Sequence, residues 1–256
     1  MTLHGSALWT PDDILTTLWY DASDLSTIHT NASGVTQWDD KSGNGNHATQ
    51  AVTNLQPSTA VTNINGLNLL TFDGVDDELA FARNGMRTNA FAVFVTYPDN
   101  DSEYSTLGNG AGTGGSTHWD RFGGNTIARH FSTGRLFQEN LGVPSSGVIM
   151  LSYNADQSRP EYLAHLNGTQ IKQYASSFTF QDFLDRIGKG YVNGGYLKGS
   201  VAEVVLLNRW ASSSDREQLE GYLAHKWGIV DKLPVDHPYK ELPPGYTPPG
   251  TLITLH

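Results

Sequence analysis

The chain has 256 residues, a formal net charge of −10 and no cysteine. The lack of cysteine excludes disulfides, thiolate metal sites and cysteine nucleophiles, and the acidic charge disfavours nucleic acid and anionic membranes as main partners. With 27 glycines and 11% aromatic residues, the composition favours an all-β protein with many turns, built as one large domain or two small ones.

The first residues, MTLHGSALWTPDD, contain neither a basic region nor a long apolar run, so we expect no signal peptide. No apolar stretch approaches the ~20 residues that span a bilayer, and the sequence therefore predicts a soluble protein made in the cytoplasm. Thr10-Pro11 is a favourable start signal for a short helix over residues 12–18. We assign residues 1–17 to an N-terminal lead-in.

Residues 38–48, WDDKSGNGNHA, look like the start of a calcium loop. Counting from Asp40, oxygen-bearing side chains occupy positions one, three and five and a glycine occupies position six. Position twelve, however, is Ala51 where a bidentate glutamate is needed, and the flanking VTQW and HATQAVT are typical of strands. The Ser-Gly-Asn-Gly-Asn run tolerates positive φ angles, so we interpret the segment as a tight connection between strands.

Short apolar runs separated by Gly, Asn, Asp or Pro follow as far as residue 207. They predict strands at 67–72, 90–97, 148–154 and 200–208, and Asn167-Gly168 predicts a hairpin within 162–172. Several such strands at this spacing indicate a sandwich or a barrel.

One longer helix is predicted near the C-terminus. Ser214-Asp215-Arg216-Glu217 matches a capping box, and Gly228 stands where a C-terminal cap belongs. The apolar stripe between them consists of Leu219, Tyr222, Leu223 and Trp227. We expect this stripe to pack on a sheet.

Residues 231–256 contain six of the eleven prolines and should run extended without a core of their own. Such a segment is either a disordered end or an arm ordered by contact, and we favour an arm that docks on another subunit. Its predicted subunit contacts are Tyr239, Tyr246, Leu252, Ile253 and Leu255.

Several segments, taken in chain order, resemble concanavalin A-like, laminin-G-like jelly-roll modules of phage virion proteins and bacterial surface proteins. These segments are LWYDASD (18–24), VTQWDDKSGNGNHATQ (35–50), NGLNLLTFDGVDDEL (65–79), YLAHLNGTQI (162–171), DRIGKG (185–190), GSVAEVVLLNR (199–209) and REQLEGYLAHKWG (216–228). The resemblance implies an all-β, two-sheet antiparallel jelly-roll sandwich over residues 18–230, with one short N-terminal helix and one C-terminal helix. It also implies that Trp38 packs inward above a structural turn.

Calcium is common in this superfamily, and the resemblance leaves Asp73, Asp76 and Asp77 as candidate ligands. The ligands of related proteins do not map onto this chain, so we expect no metal or other cofactor and keep a structural calcium as the alternative.

The sequence shows no catalytic motif. Glycanases of this superfamily carry Glu-x-Asp-x-x-Glu on one strand, whereas residues 73–78 contain glycine and predict a turn, and Glu203 is the only acid in VAEVVLLN. A serine-hydrolase elbow, paired zinc histidines and a phosphate loop are also missing. We therefore predict a protein without enzymatic activity.

The glycine-rich segment 108–125 contains five consecutive aromatic or ionisable residues: His118, Trp119, Asp120, Arg121 and Phe122. One interpretation is that Trp119 and Phe122 begin a strand and fill the core. The other is that the group lies at the rim of the domain and binds a ligand or a partner.

Together these features predict a non-enzymatic structural module of a phage virion, either a capsid decoration or a tail-associated protein. It would be made in the host cytoplasm, displayed on the virion surface next to other virion proteins and copies of itself, and able to hold host glycans. The alternative is a carbohydrate-binding lectin module of a bacterial surface protein, outside the cell, and a glycoside hydrolase is less favoured. Neither nucleic acid nor a membrane is an expected partner.

Overall fold

The computed structural model describes residues 8–82, 89–98, 104–108, 118–122, 126–131, 134–140, 149–156, 161–175, 185–191 and 194–246. The strands are β1 Leu18–Asp21, β2 Ile28–Thr30, β3 Val35–Trp38, β4 Ala48–Thr49, β5 Ser58–Ile64, β6 Leu67–Asp73, β7 Leu79–Phe81, β8 Asn89–Pro98, β9 Tyr104–Gly108, β10 His118–Phe122, β11 Thr126–Phe131, β12 Gly134–Asn140, β13 Ile149–Asp156, β14 Glu161–Leu166, β15 Thr169–Ala175, β16 Arg186–Ile187, β17 Lys189–Tyr191, β18 Gly194–Tyr196 and β19 Lys198–Leu207. The α-helix α1 spans Ser213–Lys226, and 3₁₀ turns lie at Pro11–Asp13, Leu25–Thr27, Thr53–Leu55 and Val230–Lys232.

These strands form two large antiparallel sheets. The eight-stranded sheet has the order β15-β14-β13-β8-β19-β6-β5, with β1 also paired to β19, and the nine-stranded sheet has the order β12-β11-β10-β9-β16-β7-β4-β3-β2. The separate pair β17-β18 forms a small hairpin. This architecture confirms the predicted two-sheet antiparallel sandwich, and each strand predicted from an apolar run is present.

The core between the two sheets is apolar and fully enclosed. Leu70, Phe72, Val204 and Leu206 from the eight-stranded sheet belong to one buried cluster with Trp38, Leu79, Phe81, Leu107 and Ile187 from the nine-stranded sheet. Trp38 is 0% exposed and stacks on Tyr20 with ring centroids 5.2 Å apart. The inward position predicted for Trp38 is therefore confirmed.

A second core lies on the other face of the eight-stranded sheet, beneath α1. Leu219, Leu223 and Trp227 of the helix are 0% exposed and join a buried cluster with sheet residues that include Leu69, Phe91, Val93, Val95 and Val205. The predicted apolar stripe thus packs on a sheet as expected. Gly228 follows the helix with a φ of +67°, which suits a C-terminal cap.

The helix begins two residues earlier than the predicted capping box implies. Ser212 is the N-cap: its hydroxyl accepts the Asp215 N–H at 3.0 Å, and the Asp215 carboxylate accepts the Ser212 N–H at 3.1 Å. Residues 212, 213 and 214 are all serine, so composition does not distinguish among them. Ser212 is identified as the N-cap because it forms the reciprocal pair of hydrogen bonds with Asp215, the third helical residue.

The N-terminal helix is confirmed only as a single 3₁₀ turn, Pro11–Asp13, and its predicted extent to residue 18 is wrong. Leu18, the last residue of the predicted helix, instead begins β1, which pairs with β19 and buries Leu18, Trp19 and Tyr20. Burial on both faces of the eight-stranded sheet outweighs the local helix signal.

The Glu203 carboxylate joins β19, β1 and α1. Its Oε1 accepts Trp19 Nε1–H at 2.7 Å and the Tyr222 hydroxyl at 3.0 Å, and its Oε2 accepts Lys226 Nζ at 2.7 Å and Trp227 Nε1–H at 2.8 Å. Glu203 is 0% exposed. Burial raises its pKa, and the ammonium of Lys226 opposes that rise.

The described part of the C-terminal arm, residues 231–246, contacts its own domain. Lys240 Nζ donates to the carbonyl oxygens of Val230, Asp231 and Leu233 at 2.8 to 2.9 Å, which ties the arm to its own first residues. The Tyr239 carbonyl oxygen lies 2.9 Å from His225 Nε2 of α1. The ring and Cβ of Tyr239 lie directly over Gly221 of α1, which leaves no space for a side chain there.

We expected the arm to be held mainly by another subunit, and for its first half the structure shows contacts within the chain. Tyr239 is partly buried in this way, Tyr246 is 43% exposed, and Leu252, Ile253 and Leu255 lie outside the described residues. Their role as subunit contacts stays a prediction. Within the described ranges, no helix combines the length and apolar character required to cross a membrane.

We predict that Trp227→Ala destabilises the protein by about 3 to 5 kcal/mol, because it opens a cavity in the second core and removes a donor from Glu203. Denaturant titration of the full chain measures this loss. Leu15→Ala is the control, since Leu15 is 86% exposed and its truncation should have little effect. A Trp227→Ala midpoint equal to that of the wild type would contradict the described packing of α1.

Candidate functional site

The loop that resembles a calcium site is a turn organised by one carboxylate. Asp40 Oδ1 accepts the N–H groups of Trp19 and Ser42, both at 2.9 Å, and Oδ2 accepts the Asn46 N–H at 3.0 Å and the Ser42 hydroxyl at 2.8 Å. Gly43 and Gly45 have positive φ angles of +80° and +70°. Each carboxylate oxygen is thus engaged by two protein donors, which confirms the interpretation as a strand connection.

The same turn is fixed to the core by its neighbours. The hydroxyl of Tyr20 donates to the Asn46 carbonyl oxygen, and the side-chain amide of Asn46 donates to the Thr17 carbonyl oxygen at 2.9 Å. Burial, followed by the charge of Asp40, raises the pKa of Tyr20 well above its ordinary value. The loop is therefore anchored to the core through the buried Asp40 and Asn46, while Gly43, Asn44 and Gly45 are exposed at its tip.

A row of polar and small residues crosses part of the outer face of the nine-stranded sheet. Successive Cα partners along the row are His29, Gln37, Thr49, Ala80 and Arg186. Their neighbours on the same strands are buried in the core; these neighbours include Trp38, Ala48, Phe81 and Ile187. Because side chains alternate between the faces of a strand, the row lies on the face turned away from the core.

The backbone of β17 closes one end of this row. Arg186 pairs in register with Gly108 of β9, and a side chain at Gly108 would collide with the carbonyl oxygens of Lys189 and Gly190. The row is therefore open over β2, β3, β4, β7 and β16, which corresponds to roughly 19 Å at the usual spacing between strands. We call this stretch, His29 to Arg186, the polar row.

Charged groups flank both ends of the polar row. At the β16 end, Glu78 Oε2 lies 2.9 Å from Lys189 Nζ and 3.5 Å from Arg186 Nε. At the β2 end, Asp39 lies 2.7 Å from His29 Nε2 and 3.3 Å from His47 Nδ1. Partial burial acts to raise the pKa of Asp39, but the hydrogen bond with His29 outweighs it, and the pKa lies below its ordinary value. At the two ends of the row, Arg186 thus pairs with the Glu78 carboxylate and His29 is hydrogen-bonded to Asp39.

The predicted binding group, residues 118–122, forms strand β10 between β9 and β11. In register, His118 lies opposite Gly108, which continues the line of the polar row, and Trp119 lies opposite Leu107, which is buried in the core. A bulge follows between Trp119 and Asp120. The side chains of the five residues lie outside the description, so their role in ligand binding stays a prediction.

The structure brings the three candidate calcium ligands together. Carboxylate oxygens of Asp73, Asp76 and Asp77 lie within 4.8 Å of one another. Asp73 Oδ1 already accepts the N–H groups of Val75 and Asp76, and Asp77 Oδ2 accepts the Asp73 N–H. Calcium requires six to eight oxygen ligands, so these carboxylates fit the ion only if water completes the shell. Burial, and secondarily the negative charges of Asp73 and Asp76, raise the pKa of Asp77 to about 6.

The acid considered for glycan hydrolysis does not face solvent. Glu203 is fully buried and its two oxygens accept four protein donors. A glycosidase needs two carboxyl groups on either side of the scissile bond, in reach of substrate, and Glu203 cannot supply one of them. The predicted absence of enzymatic activity stays a prediction for the chain as a whole.

Sequence reasoning missed the polar row. Its members come from five strands spread between residues 29 and 186, and no single sequence motif contains them together. The signal that was present is the alternation of polar and buried residues in VTQW, ATQ and LAF, which marks an outward position on each strand but not the partner strand.

No protein-family model matches the chain, and no curated protein matches it. Solved structures do match. Domain 4 of AbnA, an extracellular GH43 arabinanase from Geobacillus stearothermophilus, solved in complex with arabinotriose, has 13% identity and a TM-score of 0.58, with 80% of this chain and 98% of that domain covered.

Two further structures match only with part of their own length. The Trypanosoma rangeli sialidase has 16% identity and a TM-score of 0.59, and the match covers 83% of this chain and 33% of the sialidase. The binding domain of botulinum neurotoxin serotype D has 10% identity and a TM-score of 0.56, and the match covers 82% of this chain and 52% of the neurotoxin chain. At such identities these comparisons establish the β-sandwich fold.

We predict that Asp40→Ala lowers the free energy of unfolding by about 2 to 4 kcal/mol, because buried N–H groups lose their acceptor. A chelator, in contrast, should leave the melting temperature of the wild type nearly unchanged. Thermal unfolding with and without EDTA measures both effects, and Asp24→Ala, at a more exposed carboxylate, is the control. A fall of more than ~10 °C in EDTA would show a structural ion, because an ion bound to the folded state stabilises it by mass action.

The raised pKa of Asp77 predicts an unusual pH dependence. The folded protein binds this proton more tightly than the unfolded chain, so the stabilisation is present near pH 4 and is lost as the pH rises through about 6. We expect Asp77→Asn to be more stable than the wild type by about 2 kcal/mol at pH 7 and equal to it near pH 4.

This comparison is made in EDTA by denaturant titration at each pH. Burial also lowers the pKa of His165 to about 4, so His165 contributes to the pH dependence of stability. This contribution is the same in both proteins and cancels when their free energies of unfolding are compared. Curves for Asp77→Asn and the wild type that stay parallel from pH 4 to 7 would rule out the raised pKa.

Proposed function

We propose that this domain is a non-enzymatic carbohydrate-binding module and that its glycan lies along the polar row of the nine-stranded sheet. The observation that carries the proposal is the row itself: four hydrogen-bonding side chains and one alanine, in register on five adjacent strands, on the face turned away from the core. The similarity to an arabinanase domain solved with arabinotriose, over almost the whole of that domain, supports the same class of ligand.

The chemistry of the row suits sugar hydroxyl groups. The Gln37 amide both donates and accepts, the Thr49 hydroxyl does the same, and the Arg186 guanidinium donates in a fixed fork. Ala80 lies between Thr49 and Arg186 in register, so a sugar ring can approach the sheet there without meeting a long side chain. A row of roughly 19 Å is long enough for a short oligosaccharide.

The predicted group 118–122 lies outside this open stretch. His118 is the Cα partner of Gly108, where the backbone of β17 closes the row, and Trp119 is the partner of the buried Leu107. Binding of a ligand or a partner by this group is therefore a proposal separate from the polar row.

The virion interpretation receives no support from the similar structures and stays a prediction. The similarity to a domain of an extracellular arabinanase favours the alternative, a module that works outside a bacterial cell. A glycan ligand is compatible with both locations.

A glycan array followed by calorimetric titration of the full chain tests the proposal, with arabinotriose as the first probe. We expect Gln37→Ala and Thr49→Val each to weaken binding about 3- to 10-fold, since each removes one hydrogen-bonding group. The matched controls are Gln170→Ala and Thr169→Val, exposed residues of β15 in the other sheet. The proposal fails if no neutral or acidic glycan binds, or if the row variants bind like their controls.

A further inference from the structure

A second polar site lies on the outer face of the eight-stranded sheet, beyond the part that α1 covers. Leu69 and Val95 lie under the helix, and the next outward residues along the same strands are Thr71 and Tyr97. Ser200 of β19 lies between them, as the Cα partner of both. The face thus changes from apolar under the helix to polar at this end.

These residues form the floor of a pocket of about 350 Å³. The hydroxyl groups of Thr71 and Ser200 are hydrogen-bonded to each other at 2.9 Å, with Ser200 only 2% exposed. Tyr97 is partly exposed and lines one side. The walls are completed by Thr62 and by Asp73 and Lys198, which are Cα partners on β6 and β19.

We propose that this pocket binds a neutral saccharide unit, as a site separate from the polar row. The tyrosine offers a ring face and a hydroxyl group for a sugar, and three hydroxyl-bearing side chains, an aspartate and a lysine offer donors and acceptors around it. A pocket of this size lies at the lower end of the usual range for small-molecule sites, which suits one or two sugar units.

The charges of the pocket decide between neutral and acidic sugars. Within the lining, the carboxylate of Asp73 is balanced by the ammonium of Lys198. Asp76 and Asp77 lie beside Asp73 and add negative charge at the same end. An acidic sugar would be repelled there, so a neutral pentose or hexose is the ligand that the electrostatics favour.

The two sites cannot be one continuous site. The polar row is on the outer face of the nine-stranded sheet and the pocket is on the outer face of the eight-stranded sheet, with the inter-sheet core between them. Ligand binding in the pocket is therefore independent of the function proposed for the row.

Saturation-transfer NMR on the full chain carrying Gln37→Ala/Thr49→Val, which weakens the polar row, tests the pocket, with arabinose, galactose, glucose and N-acetylglucosamine as neutral probes and N-acetylneuraminic acid as the acidic comparison. We expect at least one neutral sugar to bind and the acidic sugar to give no signal. Tyr97→Ala should weaken binding at least 10-fold, and the isosteric Thr71→Val about 3- to 10-fold. Tyr196→Ala, at a partly exposed tyrosine of β18 outside the lining, should bind like the wild type.

The double variant Gln37→Ala/Thr49→Val distinguishes the two sites, since it should retain binding in the pocket while losing affinity along the row. If Tyr97→Ala does not fold, Thr71→Val alone decides, because it keeps the shape of the side chain. The pocket proposal is overturned by absence of any neutral-sugar signal, by preference for the acidic sugar, or by Thr71→Val binding as tightly as the wild type.

Discussion

The buried carboxylate of Glu203 is the interaction on which the arrangement of this domain depends. A charge removed from water costs several kcal/mol unless its lone pairs are satisfied, and here four donors from β1 and α1 surround the two oxygens. Lys226 also reaches Asp21 Oδ1 at 2.7 Å, so the helix is bound to two strands by one ammonium group. This cluster fixes where α1 lies, and it thereby determines which part of the eight-stranded sheet is covered and which part is left open as the pocket.

The acids that resemble functional motifs in the sequence are the ones most completely used by the fold. Asp40 begins a calcium-like pattern and Glu203 is the only acid of the strand VAEVVLLN, yet both are buried and saturated with protein donors. Asp73 is exposed and lines the pocket, and the half-buried Asp76 lies beside Asp73. Burial and donor count, which depend on residues far away in the chain, separate a structural carboxylate from one that is available to a ligand.

Local patterns predicted the elements well where one periodic signal was sufficient. The apolar run at 200–208 and the Asn167-Gly168 turn, with φ angles of +50° and +81°, appear as expected. The N-terminal helix was predicted too long, because Leu18 gains more from burial in the strand Leu18–Asp21 than from a helical turn. The polar row and the pocket could not be predicted, because both depend on the register between strands, some of which lie more than a hundred residues apart in the chain.

The two proposed sites share one physical origin. A sandwich of two sheets buries one face of each, and the outer faces differ only in what else packs on them. On the eight-stranded sheet, α1 and residues 231–246 cover most of the outer apolar surface, and the polar end beyond them forms a compact pocket. On the nine-stranded sheet, β17 closes the row at Gly108 and leaves a longer, shallower surface. The pocket therefore suits one or two sugar units and the row suits a chain of sugars. Because the two proposed sites lie on opposite outer faces of the sandwich, a module with both would bind two separate glycans from opposite sides and would gain no avidity for one flat surface.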